Sequence, residues 1–395
     1  MTMAAVIESR TAEAPAQPLT SGITRVDILS DLAAAEPIWR ALEMSGLSTP
    51  YQRFDFLGAW QRHAAAQHDA TPLIVVAWDA QQRPLLLLPL ALRHACGARV
   101  AGFMGGKHTS FNMGLWDRAF AASATPGDLD DLLNGLHQRD VVDVLALTQQ
   151  PMRWRDQANP LALLPYQPSA NGCPVLTMPP GADPTALVSN SFRRKLKAKE
   201  KKLQALPGYR YLIAETDAEI ARLLNWFFKV KPIRMAEQKL PNVFAEPGIE
   251  AFVREACSAR LASGRRAIEI HALDCDEEII ALFAGVADGE RFSMMFNTYT
   301  LSEHARWSPG LILMRDIIDH CAGAGYHRLD LGIGTDDYKR MFCKDDEPIF
   351  DCFIPLSARG WLAAMALSAL HRGKHLVKHN PALLDLAQRL RGALR

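Results

Sequence analysis

Between Asn297 and Phe342 the chain gathers residue types that can hold a phosphate and move a proton. Asn297-Thr298-Tyr299 closes a strand pattern, and Ser308-Pro309-Gly310-Leu311 then opens a helical one. The free N–H groups of such a helix start can hold a pyrophosphate. Asp330-Leu331-Gly332-Ile333-Gly334 ends the next strand in a glycine-bearing loop, with Tyr338-Lys339 directly after it. Asp330 can act as a base or anchor an acceptor, or it can be a structural acid bonding the neighbouring loop. Asp143, at the corresponding place in the first half, speaks for the structural role. Tyr299 or Tyr338 can protonate a leaving group, or pack its ring with the hydroxyl satisfied. Lys339 follows a strand-end loop, where binding residues collect, and is otherwise an ordinary helix-surface lysine. Glu303 and His304 stand in the intervening loop as further candidate bases, or as solvated polar residues.

These residues need strands and a helix to bring them together. Ala267–Leu273, Ile279–Ala287 and Arg291–Asn297 read as three antiparallel strands, with Asp288-Gly289 as the second turn. Leu311–Ala322 is helical and ends at Gly323 and Gly325, and Arg328–Gly332 is the strand that carries Asp330. The first half follows the same plan. Leu73–Trp78 and Pro84–Leu92 form a hairpin, a helix runs from Pro126 to about Arg139, and Val141–Leu147 is a strand bearing Asp143. Two copies of one α+β unit with mixed sheets are expected. The units span 25–160 and 189–357, a proline-rich linker spans 161–188, a disordered lead-in precedes at 1–24, and a basic helical tail follows at 358–395.

Composition narrows the function. The 395 residues suit roughly two domains. Forty-four Lys and Arg balance 43 Asp and Glu, so no overall field gathers DNA or an anionic membrane, and a partner of that kind must meet a local patch. Seven cysteines with no C-x-x-C pair fit a reducing compartment, and no apolar leader region opens the chain, so a cytoplasmic protein is expected. No H-E-x-x-H, G-x-S-x-G or dinucleotide glycine motif is present, and no His/Cys cluster has ligand spacing, so no metal is expected. Gly102–Thr109 falls short of a phosphate loop because His108 follows Lys107 where Ser or Thr must hold magnesium.

Two segments are strongly basic. Phe192–Leu203 is a helix with Phe192, Leu196 and Leu203 on one face, either a solvated helix face or a grip on tRNA, an acidic glycan or a membrane surface. Trp361–Leu370 and the basic residues after it read as helices that pack on the second unit or lie on the inner membrane.

The run Ser308–Leu313, with Asp330-x-Gly332-x-Gly334-x-x-x-Tyr338-Lys339, resembles the GNAT-like acyltransferases of the cellulose-biosynthesis-associated CelD type. These are relatives of the Fem-type aminoacyl transferases, which also carry tandem acetyltransferase-fold units. Thr49-Pro50-Tyr51-Gln52 with Phe56 and Trp60, and Leu88-Pro89-Leu90, resemble the family's opening segment, so the resemblance runs from about Ser30 to Leu356. It implies transfer of an acyl group from a thioester, acyl-CoA in the first instance, with a carrier protein or aminoacyl-tRNA as other donors. The pyrophosphate would lie near Ser308, Gly310 and Leu311, the pantetheine arm beside Met294–Asn297, and Lys339 against a phosphate or sulfate of the acceptor. The implied acceptor is an amine or hydroxyl of a cell-envelope or exopolysaccharide precursor. A catalytically silent accessory protein of polysaccharide synthesis, working through its basic tail, is the alternative of another class.

Overall fold

The computed structural model describes residues 22–380 and 383, apart from 262 and 335, and leaves the side chains of 66 and 68 aside. Most of the expected lead-in and the end of the expected tail lie outside the described residues. Two sheets form the scaffold. In the first, the order is Arg25–Leu29, Thr71–Trp78, Pro84–Ala95, Ala98–Phe103, Val144–Pro151, Ile349–Pro355 and Gln167–Pro168. In the second it is Arg210–Ile213, Ile268–Asp274, Ile279–Ala287, Arg291–Tyr299, Arg328–Asp330, Cys173–Thr177 and Asp345–Glu347.

The two orders match place for place. In each sheet the fourth and fifth strands are parallel and the remaining neighbours antiparallel. A parallel pair needs a crossover, and the helices Pro126–Arg139 and Pro309–Gly323 supply it. Proline at the first turn starts both, because its missing N–H is one the helix does not use. The expected mixed α/β architecture of two like units is therefore present.

Its sixth strands depart from the expected segmentation. Cys173–Thr177, read as linker, is an interior strand of the second sheet, between Arg328–Asp330 and Asp345–Glu347. Ile349–Pro355, read as the end of the second unit, pairs with Val144–Pro151 inside the first sheet. Each unit thus completes its sheet with a segment that composition assigned elsewhere. Of the prolines that suggested a linker, Pro160 and Pro184 open short helices and Pro168 lies in the edge strand Gln167–Pro168, where a missing donor costs little, while Pro174 stands in Cys173–Thr177 before its pairing with Arg328–Asp330 begins. A long helix, Asp217–Glu237, was also not anticipated; Pro232 interrupts its pattern, while Thr216 and Glu219 close a capping box at its start. The helix Ala358–His379 packs on the first sheet, not on the second unit as expected.

One core joins the units. Phe56, from the helix Phe54–His63, meets Phe252 of the helix Ile249–Ser258 edge to face at 5.2 Å. Burying rings of that size stabilises the fold by about 2–3 kcal/mol each, which holds the two units in one arrangement.

Candidate active site

The parallel strands of the second sheet stay together only from Arg291–Ser293 against Arg328–Asp330. Beyond Ser293 they separate, while the other edge of Met294–Tyr299 remains paired with Ile279–Ala287. The register shifts between Ala284 and Gly285, leaving Met295 as an extra residue, and such a bulge bends its strand. A cavity of about 870 Å³ fills the gap between the separated strands. Met294 through Tyr299 form one wall, Leu331 through Ile333 another, and the start of the helix Pro309–Gly323 a third. The first unit adds Lys107, Thr109, Ser110 and Gln149, so both units build the cavity.

Asn297, Tyr299, Ser308, Gly310, Leu311, Tyr338 and Lys339, all singled out in the sequence, line this space. Asp330 does not. It is fully buried, paired with Arg291 at 2.8 Å, and accepts from the Ser293 hydroxyl at 2.5 Å and the Gly332 N–H at 3.0 Å. Burial opposes the charge on Arg291, and Asp330 and Glu347 outweigh it, so its guanidinium is held above its ordinary value. Asp330 is accordingly a structural acid, and the expectation of a catalytic base there is corrected. A carboxylate whose oxygens already accept from three donors has no access to an acceptor's proton.

Lys339 is also committed. Its ammonium is buried, donates to the Gly332 and Ile333 carbonyls at 3.1 Å each, and lies 3.4 Å from Asp336. It holds the glycine loop closed over the cavity rim and does not extend a cation toward a ligand phosphate. Tyr338 places its hydroxyl 3.5 Å from the Asn297 amide, with its ionisation pushed up by burial and then by Asp336. Tyr299 carries the Arg234 guanidinium 4.1 Å over its ring. Glu303 pairs with Arg306, and His304 lies 3.4 Å from Glu278; neither lines the cavity.

The helix start offers less than a run of free N–H groups. Pro309 has none, and those of Leu311 and Ile312 donate to the Ser308 carbonyl. The Gly310 N–H is left at the cavity, where an added Cβ would meet only Phe283 and Tyr299 at ordinary contact distances of 3.8 and 3.9 Å. A cation compensates. Lys199, on the basic helix Asn190–Leu203, donates to the Ser308 hydroxyl at 2.7 Å. Ser308 itself adopts a left-handed φ of 56°, an unfavourable state for a serine, directly beside this cation.

Sequence reasoning missed Lys231. It projects from the helix Asp217–Glu237 into the cavity, and its ammonium donates to the Asn297 carbonyl at 3.0 Å. Burial lowers it to about 8. Among the described residues lining the cavity, Asp336 supplies the one carboxylate and no histidine is present, so Lys231 is the group best poised to exchange a proton near neutral pH. The signal was a lysine four residues after Phe227, on the helical face that carries the buried Ile220, Leu224 and Phe227.

Residues 190–340 match the family model described as an acetyltransferase (GNAT) domain. The chain is thereby an acyltransferase by class. No curated protein matches it in sequence. Among solved structures, FemX is similar with a TM-score of 0.54 at 9% identity, covering 82% of this chain and 96% of its own. A conserved protein of unknown function from Bacteroides thetaiotaomicron is similar with a TM-score of 0.53 at 11% identity, covering 83% of this chain and 99% of its own. The C-terminal domain of a putative lysylphosphatidylglycerol synthetase from Agrobacterium fabrum is similar with a TM-score of 0.51 at 11% identity, covering 86% of this chain and 98% of its own. At such identities the likeness is one of fold.

Proposed function

From a chain that carries a GNAT acetyltransferase domain, we propose an enzyme that moves an acyl group from the thioester of an acyl-CoA to an amine or hydroxyl of a cell-envelope or exopolysaccharide precursor. The observation that carries this reading is the open edge of Met294–Tyr299, which faces a cavity bordered by a helix start. Backbone groups on such an edge can hold an extended pantetheine arm and the thioester carbonyl, as a neighbouring strand would be held. Gly310, Ser308 and Lys199 would meet the donor's phosphates.

Transfer then needs positioning, one base and a stabilised carbonyl oxygen. The acceptor nitrogen or oxygen attacks the thioester carbon, and the neutral Lys231 amine takes the acceptor's proton. As the tetrahedral adduct collapses the C–S bond breaks, and Lys231 returns that proton to the departing sulfur. Ser110 and Gln149, from the first unit, face the acceptor side and suit a hydroxyl-bearing molecule. The acceptor class itself draws its support from the family resemblance.

Isothermal calorimetry against acetyl-CoA, a long-chain acyl-CoA and free coenzyme A tests the donor. Micromolar binding supports the reading, and the order of the three affinities reports the acyl pocket. Absence of heat with folded protein removes coenzyme A as donor carrier. A second reading then takes its place, with an aminoacyl-tRNA as donor. The basic helix Asn190–Leu203, which touches the cavity-lining Ser308 through Lys199, and the likeness to FemX and the synthetase domain favour it. Loss of activity after RNase treatment supports that second reading, and indifference to RNase refutes it.

A further inference from the structure

The helix Ala358–His379 turns two unlike faces to its surroundings. Gly360, Ala363 and Ala364 are buried, with the two alanines set against Val100, Val144 and Ala146 of the first sheet. The fit is close, because a Cβ added to Gly360 would stand 1.6 Å from the Asp143 carbonyl oxygen. Further along, Ser368 bonds Gln167 at 2.6 Å and His371 meets Asp351 at 2.9 Å on the same side. This face is fully accounted for by the fold.

The opposite face is apolar and open. Trp361, Leu362, Met365, Leu370 and Leu376 are 52–66% exposed. At about 3.6 residues per turn they fall on one half of the helix. Each such side chain gains roughly 1.5–3 kcal/mol when buried, and soluble surfaces seldom leave five of them exposed along one helix. Charge on the helix has a single sign. Arg359, Arg372, Lys374 and Lys378 are exposed, and the helix contains neither Asp nor Glu. The chain as a whole balances 44 basic against 43 acidic residues, so the asymmetry is local. Among the described residues no helix is long and apolar enough to cross a membrane.

We propose that this face seats the protein on an anionic lipid surface, with the helix lying in the plane of the headgroups. An apolar half, a tryptophan near one end and basic flanks match a surface of acyl chains beneath negative headgroups. Association costs little ordering entropy, because the first sheet already holds the helix in shape. The inference goes beyond the transfer reaction and stands whether or not coenzyme A is the donor.

The test is co-sedimentation of the full chain with vesicles of phosphatidylcholine alone and of phosphatidylcholine with phosphatidylglycerol. Binding is expected to the phosphatidylglycerol vesicles, to fall at least tenfold in the Leu362→Glu/Met365→Glu double variant, and to weaken in Arg359→Gln/Lys374→Gln and with added salt. All four positions are exposed, and a thermal melt verifies that each variant folds. No binding to either vesicle overturns the proposal, as does binding that the double variant leaves unchanged. A soluble dimer dissociated by the double variant, without vesicle binding, assigns the face to a second copy and overturns it. Vesicle binding that appears only once the chain beyond Asn380 is removed overturns it in favour of that segment as the natural cover.

Discussion

Arg291 reaches Asp330 at 2.8 Å from the strand that runs parallel to it, and Arg99 reaches Asp143 at 3.0 Å in the same way in the other unit. A serine completes each set, Ser293 on Asp330 and Ser357 on Asp143. The two acids brace opposite ends of their parallel pairs: Asp330 closes its pairing with Ser293 where the strands part beside the cavity, whereas Asp143 stands before Val144, where its pairing begins.

Replacing Asp330 with Asn should therefore act on stability. Removing one partner of a buried pair leaves the other charge uncompensated, a loss of about 3–5 kcal/mol. A urea titration should show that loss, with turnover falling only as the folded fraction falls. A variant with wild-type stability and turnover reduced more than tenfold would return Asp330 to the chemistry.

Lys231 should set the pH dependence. With its ammonium lowered to about 8 by burial, kcat should rise with pH along a limb near that value. Lys231→Met should lower kcat by about 10²–10⁴-fold and abolish the limb. Stability carries the same signature. The unfolded lysine keeps its proton to an ordinary 10.5 while the folded one releases it near 8, so between these values the unfolded state binds more protons. Wild-type stability should thus rise with pH across that window relative to Lys231→Met, as paired melts would record.

Much of this site was legible in the residues. Asn297, Tyr299, Ser308 and Gly310 lie where the strand and helix patterns place them, because a strand end and a helix start are local features with local signals. What escaped was non-local. Lys231 becomes a cavity residue only because its helix packs across Arg291–Tyr299, and Ile349–Pro355 enters the first sheet from some two hundred residues away in sequence. Asp330 and Lys339 misled for a related reason. Residue type announces a charge, but only the packing tells whether hydrogen bonds already engage it.

Lys199 should govern donor binding. It stands at the Ser308 hydroxyl beside the Gly310 N–H, and a charge-assisted bond to a phosphate contributes about 1.5–3 kcal/mol. Lys199→Ala should weaken coenzyme A binding by roughly tenfold or more in calorimetry, with a larger deficit at low ionic strength than at high. Equal affinity in variant and wild type would move the donor's phosphates away from this helix start.

Glu43 offers a test of packing far from the chemistry. Its carboxylate accepts from the Phe54 N–H at the start of the helix Phe54–His63, and burial raises it to about 7 despite that bond and the nearby Arg40. Unfolded, it would ionise near its ordinary 4.5, so between 4.5 and 7 the folded state binds more protons and stability falls as pH rises. Gln keeps the acceptor for Phe54 and carries no charge to desolvate. Glu43→Gln should match wild type at pH 5, where the folded carboxyl is protonated, and exceed it by about 1–3 kcal/mol at pH 8. Because Asp316, raised by burial to about 6, adds a fall of the same sign, only the difference between variant and wild type isolates Glu43. Denaturant midpoints at the two pH values measure it. A variant whose advantage is the same at both would show that the Glu43 carboxylate is solvated in the folded protein.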